Sequence, residues 1–157
     1  MSFLLDIRRQ VEIWQHDIPK RFISILGQSD PRNVYLSSPW ITEFLDPKIN
    51  LINCLNQKNA DSILLTRPPT GDATRNYLNR LKSESKTRIY TNPRLHAKIF
   101  IIEGVSHKHV ILGSANLTEE ARGNIEIALH IRGSDIVTKR VIYSFLGYLK
   151  PMCSFWG

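Results

Sequence analysis

The sequence predicts an α/β domain, a mixed and mostly parallel β-sheet flanked by helices on both faces. Three observations lead there. Short apolar runs alternate with longer amphipathic stretches through the first two thirds of the chain, the pattern of βαβ units. The central runs lack a polar face, with Ile99, Phe100, Ile101 and Ile102 consecutive, as in strands covered on both sides. The 157 residues are 42% hydrophobic and 22% charged, an ordinary composition for one domain with a real core.

The elements follow in order. Phe3 to Ser29 is helix-prone with a break at Pro19, and Phe22, Ile23 and Leu26 share one side of a short helix over Lys20 to Leu26. Residues 1–30 are therefore expected to be a helical N-terminal segment. Val34 to Ser37 reads as a strand ended by Ser38-Pro39. A helix starting near Asp46-Pro47 places Ile49, Ile52 and Leu55 at helical spacing. Ser62 to Thr66 is a strand, followed by a Pro-Pro-Thr-Gly loop, a polar helix from Asp72 to Ser85 and a strand from Thr87 to Thr91. His96 to Glu103 and Lys108 to Ser114 read as two strands joined by a turn after Gly104. Thr118 can cap a short helix whose first turn holds Glu119 and Glu120, where the helix dipole favours carboxylates. Residues 124–132 read as a strand and 134–150 as an amphipathic C-terminal helix. The whole of 1–157 is expected to be a single domain with its core in 33–132.

Composition narrows the function. Lys plus Arg number 21 against 14 Asp plus Glu, a net charge of +7 and a pI near 9.6, which favours an anionic partner, nucleic acid first. No apolar run approaches the roughly 20 residues that span a bilayer. The N-terminus lacks the basic leader, apolar core and cleavage site of a signal peptide, so the expected location is cytoplasmic. Starting at Met1, the chain suits either a whole protein or the N-terminal piece of a larger one. Cys54 and Cys153 lie far apart without CxxC spacing and read as reduced thiols. His107 and His109 suggest a metal only if a third ligand joins them, and none stands nearby in sequence, so no metal is expected.

Chemistry gathers in the middle. His96 and Lys98 stand two apart at the head of an apolar run, so on a strand they project to the same side. An ammonium there needs an anion or water. At the end of the next strand stand Gly113, Ser114 and Asn116, the serine and asparagine again two apart. A cation with two neutral hydrogen-bonding groups suits a phosphate, and an imidazole beside them suits attack on phosphorus or proton transfer.

The combination resembles the phospholipase D superfamily, whose motif is HxKxxxxD followed by GSxN. Here it stands as His96-Ala-Lys98-Ile-Phe-Ile-Ile-Glu103 and then Gly113-Ser114-Ala115-Asn116, with Asn124 and Glu126 downstream where the family commonly places an asparagine and a glutamate. Two departures stand out: glutamate replaces aspartate at Glu103, a supporting position, and the turn after it is longer than the family's. The resemblance implies a phospholipase D-like fold and a phosphodiesterase mechanism. His96 would be the nucleophile, forming a covalent phosphohistidine. Lys98, Ser114 and Asn116 would hold the non-bridging phosphate oxygens. Glu126 would accept a hydrogen bond from the far nitrogen of the His96 ring. No cofactor and no divalent metal enters this scheme.

The superfamily mechanism uses two histidines, one attacking and one protonating the leaving oxygen. His16, His107, His109 and His130 lie outside any second HxK, so one motif per chain implies a homodimer with a shared active site. The leading expectation is a metal-independent endonuclease, with DNA the first substrate. Arg67, Arg75, Arg80, Arg88, Arg94 and Arg122 can flank the site; Arg67 and Arg94, with Trp40 as a base-stacking group, are the expected substrate-binding residues. The alternatives are a phospholipid phosphodiesterase and a nucleic-acid-binding member that does not cut. With no helix-turn-helix or zinc module visible, target recognition would fall to a separate DNA-recognition domain or subunit.

Overall fold

The computed structural model describes residues 10–133 and 136–157. Its strands are β1 (Val11–Trp14), β2 (Pro31–Ser37), β3 (Asp61–Thr66), β4 (Thr87–Thr91), β5 (Ile99–Gly104), β6 (Lys108–Gly113), β7 (Ala128–Gly133) and β8 (Ser154–Phe155). They form one sheet in the order β1-β7-β6-β5-β2-β3-β4-β8. The helices are α1 (Ile18–Gln28), α2 (Leu51–Lys58), α3 (Asp72–Glu84), α4 (Glu119–Gly123) and α5 (Ile136–Ser144), the last running on into a π-helical turn, Phe145–Leu149.

The α/β class and the two-sided covering hold, but the sheet is mostly antiparallel rather than mostly parallel. Among the described strands only the β2–β3 and β3–β4 pairs are parallel. The reason lies in the connections. Helices α2 and α3 carry the chain back across the sheet after β2 and β3, as a parallel crossover requires. After β4 no helix intervenes before β5, a tight turn joins β5 to β6, and both pairings of β5 run antiparallel.

Alternate residues of each central strand face different cores. Val34, Leu36, Leu64, Phe100, Ile102 and Ile111 pack with Phe22 and Leu26 of α1, Leu55 of α2 and Leu78 of α3. Tyr35, Ile63, Leu65, Ile101 and Val110 pack with Ile142 of α5 and Phe145 beyond it. Both faces are therefore dry, which is why these strands show no polar alternation.

The helical N-terminal segment expected over 1–30 needs correction. Residues 1–9 lie outside the described residues, and Val11–Trp14 is a strand paired with β7, Val11 opposite Ile131 and Trp14 opposite Ala128. Trp14 packs into the core, while Val11, Glu12 and Ile13 are exposed, so the strand is set by its pairing and not by alternating burial. Pro19 does not break a helix here. It sits in the first turn of α1, where its missing N–H costs nothing, and Asp17 caps that turn by accepting from Lys20 N–H at 3.3 Å.

Smaller adjustments follow the same logic. Helix α2 starts at Leu51 under an Asn50 cap, later than Asp46-Pro47. The strand expected over 124–132 begins only at Ala128. In the segment expected as a C-terminal helix over 134–150, residues 134–135 lie outside the described residues and the α-helical part ends at Ser144. The chain then turns back so that β8 pairs with β4 and forms the edge of the sheet. Among the described residues, no helix is long and apolar enough to cross a membrane.

Candidate active site

Strands β2, β3 and β4 share a direction, and their carboxyl ends at Ser37, Thr66 and Thr91 open on one end of the sheet, the usual place for a ligand in such sheets. The motif residues collect at that end. His96 and Lys98 are not on a strand as expected: β5 starts at Ile99, and the segment before it is irregular, leaving His96 exposed and Lys98 half-buried. The ammonium is thus spared the cost of full burial, and its Nζ donates to the His96 carbonyl at 3.1 Å.

Three contacts set the path of this segment. Ser37 at the end of β2 donates its hydroxyl to the Ala97 carbonyl at 2.8 Å. Gly113 N–H reaches the Lys98 carbonyl at 3.5 Å, extending the register in which Ile99 faces Leu112. Arg67, just past β3, donates Nε to the Leu95 carbonyl at 2.8 Å. The His96–Lys98 segment is therefore held from β2, β3 and β6 at once.

The second motif is built around a close approach. A Cβ on Gly113 would lie 2.5 Å from the Ile127 carbonyl oxygen and 2.6 Å from the Ala128 Cβ, so only glycine lets β7 come this near. Ser114 then bridges the strands. Its N–H donates to the Ile127 carbonyl at 3.0 Å, and its hydroxyl accepts from Ile127 N–H at 3.1 Å and donates to the Glu126 carboxylate. Asn124 Nδ2 approaches the other Glu126 oxygen at 3.5 Å. In this structure the carboxylate that the resemblance assigns to the His96 ring thus serves Ser114 and Asn124, and fixes the serine hydroxyl beside the motif.

Asn116 is placed through Trp40, whose backbone N–H lies 3.5 Å from Asn116 Oδ1. Ser38 closes this corner. It is fully buried, donates its hydroxyl to the Trp40 carbonyl at 2.5 Å and accepts from Leu117 N–H at 2.9 Å. Ser37 and Ser38 brace both motifs, although neither belongs to a motif. The signal was there in two adjacent serines ending an apolar strand, where a hydroxyl must find a partner.

Among the expected substrate-binding residues, Trp40 and Arg67 lie together, the guanidinium 4.9 Å from the indole centroid, and Arg94 is exposed two residues before His96. Other arginines are engaged elsewhere. Arg122 pairs with Asp17 at 3.1 Å and Glu119 at 3.2 Å, Arg80 with Glu43 at 2.7 Å, and Arg75 with Asp72 at 3.5 Å. Arg88, at the start of β4, stands at the opposite end of the sheet. Glu103 is at that far end too, its carboxylate accepting from Asn33 Nδ2 at 3.0 Å across β2 and β5. It supports the sheet there and does not touch the site. Among the described residues, no group of three or more His, Cys, Asp or Glu could hold a metal ion.

The likenesses to known proteins bear on the family and the fold. A family profile described as "Cardiolipin synthase, PLD-like domain" matches residues 44–145. No curated protein matches the chain by sequence. Among solved structures, Nuc from Salmonella typhimurium, a phospholipase D family member, superposes with TM-score 0.69 at 16% identity over 94% of this chain and 99% of its own. NucT from Helicobacter pylori gives 0.68 at 14% identity, again over 94% and 99%. Yeast tyrosyl-DNA phosphodiesterase gives 0.51 at 15% identity, over 87% of this chain and 37% of its own. At these identities the likeness establishes the fold.

Proposed function

Because the chain belongs to the PLD-like domain family, a family of phosphodiester hydrolases and transferases, we propose that it is a metal-independent nuclease working as a homodimer through a phosphohistidine on His96. The observation that supports the reading is that the segment carrying His96 and Lys98 and the segments carrying Ser114, Asn116 and Glu126 lie at the same end of the sheet, pinned from β2, β3, β6 and β7.

The steps follow from these groups. A neutral His96 ring nitrogen attacks phosphorus; a P–N bond forms and the P–O bond to the leaving strand breaks. The leaving oxygen takes its proton from the protonated His96 of the second copy. Water then attacks phosphorus, giving its proton to that second histidine, and the P–N bond breaks to restore the first. Lys98, Ser114 and Asn116 donate to the phosphoryl oxygens as charge builds on them. Glu126 holds the Ser114 hydroxyl in place and, with two copies assembled, orients the imidazole. One His96 per chain, exposed on the surface, supplies half of this chemistry, and the second half comes from the partner copy.

Nucleic acid is favoured as substrate by the charge of +7 and by Arg67 and Arg94 beside the motif. The test is incubation with plasmid DNA in EDTA beside a His96→Ala control. Nicking by the parent and none by the variant is expected. Phosphatidyl substrates hydrolysed while DNA stays intact would instead assign a lipid phosphodiesterase, and DNA bound but uncut would assign a binding protein.

A further inference from the structure

Between the two motifs lies a planar pair that the catalytic steps leave unused. The Trp40 indole carries the Arg67 guanidinium 4.9 Å from its centroid, yet Trp40 keeps 47% of its surface open. Both residues line a small cleft of about 80 Å³ walled by Pro39, Pro68, Pro69 and Thr70. Neither is free to drift. Arg67 N–H donates to the Pro39 carbonyl at 3.2 Å and Arg67 Nε to the Leu95 carbonyl at 2.8 Å, next to His96. The Trp40 carbonyl is held by buried Ser38, and Trp40 N–H faces Asn116. One end of the pair is thus tied to each side of the phosphate site.

We propose that Trp40 and Arg67 form a stacking platform for an unpaired base next to the scissile phosphate, so that the protein acts on single-stranded nucleic acid. This rests on the nuclease reading above. An indole with a cation on one side attracts a second planar, electron-rich group, and every base offers such a face. A base inside a duplex already stacks on both neighbours and must be extruded to reach a protein ring, whereas a base in a single strand arrives free. The rigid Pro-Pro wall suits a fixed slot better than a surface that reshapes itself. Stacking engages a face that every base offers, so the platform selects strandedness rather than sequence.

The test separates base stacking from phosphate binding and from cutting. Binding is measured by fluorescence anisotropy, in EDTA with the His96→Ala chain, to a labelled oligothymidylate, an abasic oligomer of the same length and charge, and a duplex. The oligothymidylate is expected to bind about tenfold tighter than the abasic strand. Adding Trp40→Ala should equalise the two, and Trp40→Phe should keep most of the difference; circular dichroism confirms that each variant folds. Equal affinity for the thymidylate and abasic strands, a preference that survives Trp40→Ala, or tighter binding of the duplex overturns the platform. If the Trp40-dependent preference holds while the parent leaves all nucleic acid uncut, the nuclease reading fails and the platform stands. Cutting without the preference gives the reverse.

Discussion

His109 Nδ1 and His130 Nε2 lie 3.0 Å apart across β6 and β7, with both rings buried and stacked. The chain continues outward: Glu12 Oε2 on β1 lies 3.7 Å from His130 Nδ1 and accepts from Trp14 Nε1 at 3.1 Å. This cluster sits at the end of the sheet away from His96, so it concerns stability. Burial pushes the His109 pKa down to about 4, helped by His130, Arg132 and His107, and burial lowers His130 as well, against the pull of Glu12.

The first prediction follows from the sign of those shifts. Unfolded histidine binds its proton near pH 6.5, folded His109 only near 4. The stabilisation is complete above pH 6.5 and is lost as pH falls toward 4, at most about 3 kcal/mol from His109. Urea midpoints measured from pH 7.5 to 4.5 should decline, and the decline should be shallower in His109→Gln. An equal slope in parent and variant would refute the assignment.

A second prediction concerns Ser38. Removing its hydroxyl in Ser38→Ala strands the buried Leu117 N–H and frees the Trp40 carbonyl. The expected cost is about 1–3 kcal/mol, read as a lower melting temperature, together with a fall in kcat because Asn116 loses its frame. Unchanged melting and turnover would show that the brace is idle.

Two glycines should behave oppositely. Gly113→Ala drives a Cβ into β7 and should destabilise by about 1–3 kcal/mol or more. A Cβ at Gly123 meets nothing within 4 Å, so Gly123→Ala should leave the melting temperature within a degree or two. Paired thermal melts decide it.

Shared catalysis predicts a mixing law. Equal amounts of parent and His96→Ala chains, mixed and allowed to exchange, should retain about a quarter of the parent activity, because only parent–parent dimers carry two histidines. Independent sites would retain about half, and that result would exclude the shared site.

The chemistry of this site was legible because it interrupts a pattern: His96, Lys98, Ser114 and Asn116 are polar residues at two-residue spacing beside apolar runs. Strands β2, β3 and β4 were legible for the same reason, as β-rich runs bounded by turn residues. The direction of the sheet was not. A strand dry on both faces reads the same whether its neighbours are parallel or antiparallel, and the answer lies in which connections contain a helix. Val11–Trp14 was hidden for another cause. Four residues carry too little periodicity to outweigh helix-prone neighbours, and their strand state comes from pairing with Ala128–Gly133. Ser37 and Ser38 find their partners at Ala97 and Leu117, and no local window holds both ends of such a bond.

The pairing of β1 with β7 also orders events during synthesis. Val11–Trp14 is made before β2 to β6, yet among the described residues its ladder partner, Ala128–Gly133, is made after them. The β2–β3–β4 unit can form meanwhile from neighbouring segments, leaving the first strand waiting with open backbone groups. Its docking is a late, long-range closure, the slowest kind of contact to make. A nascent chain halted before Ala128 would expose both that strand and the unpaired edge of β6, which marks this interval as the one in which a chaperone has most to protect.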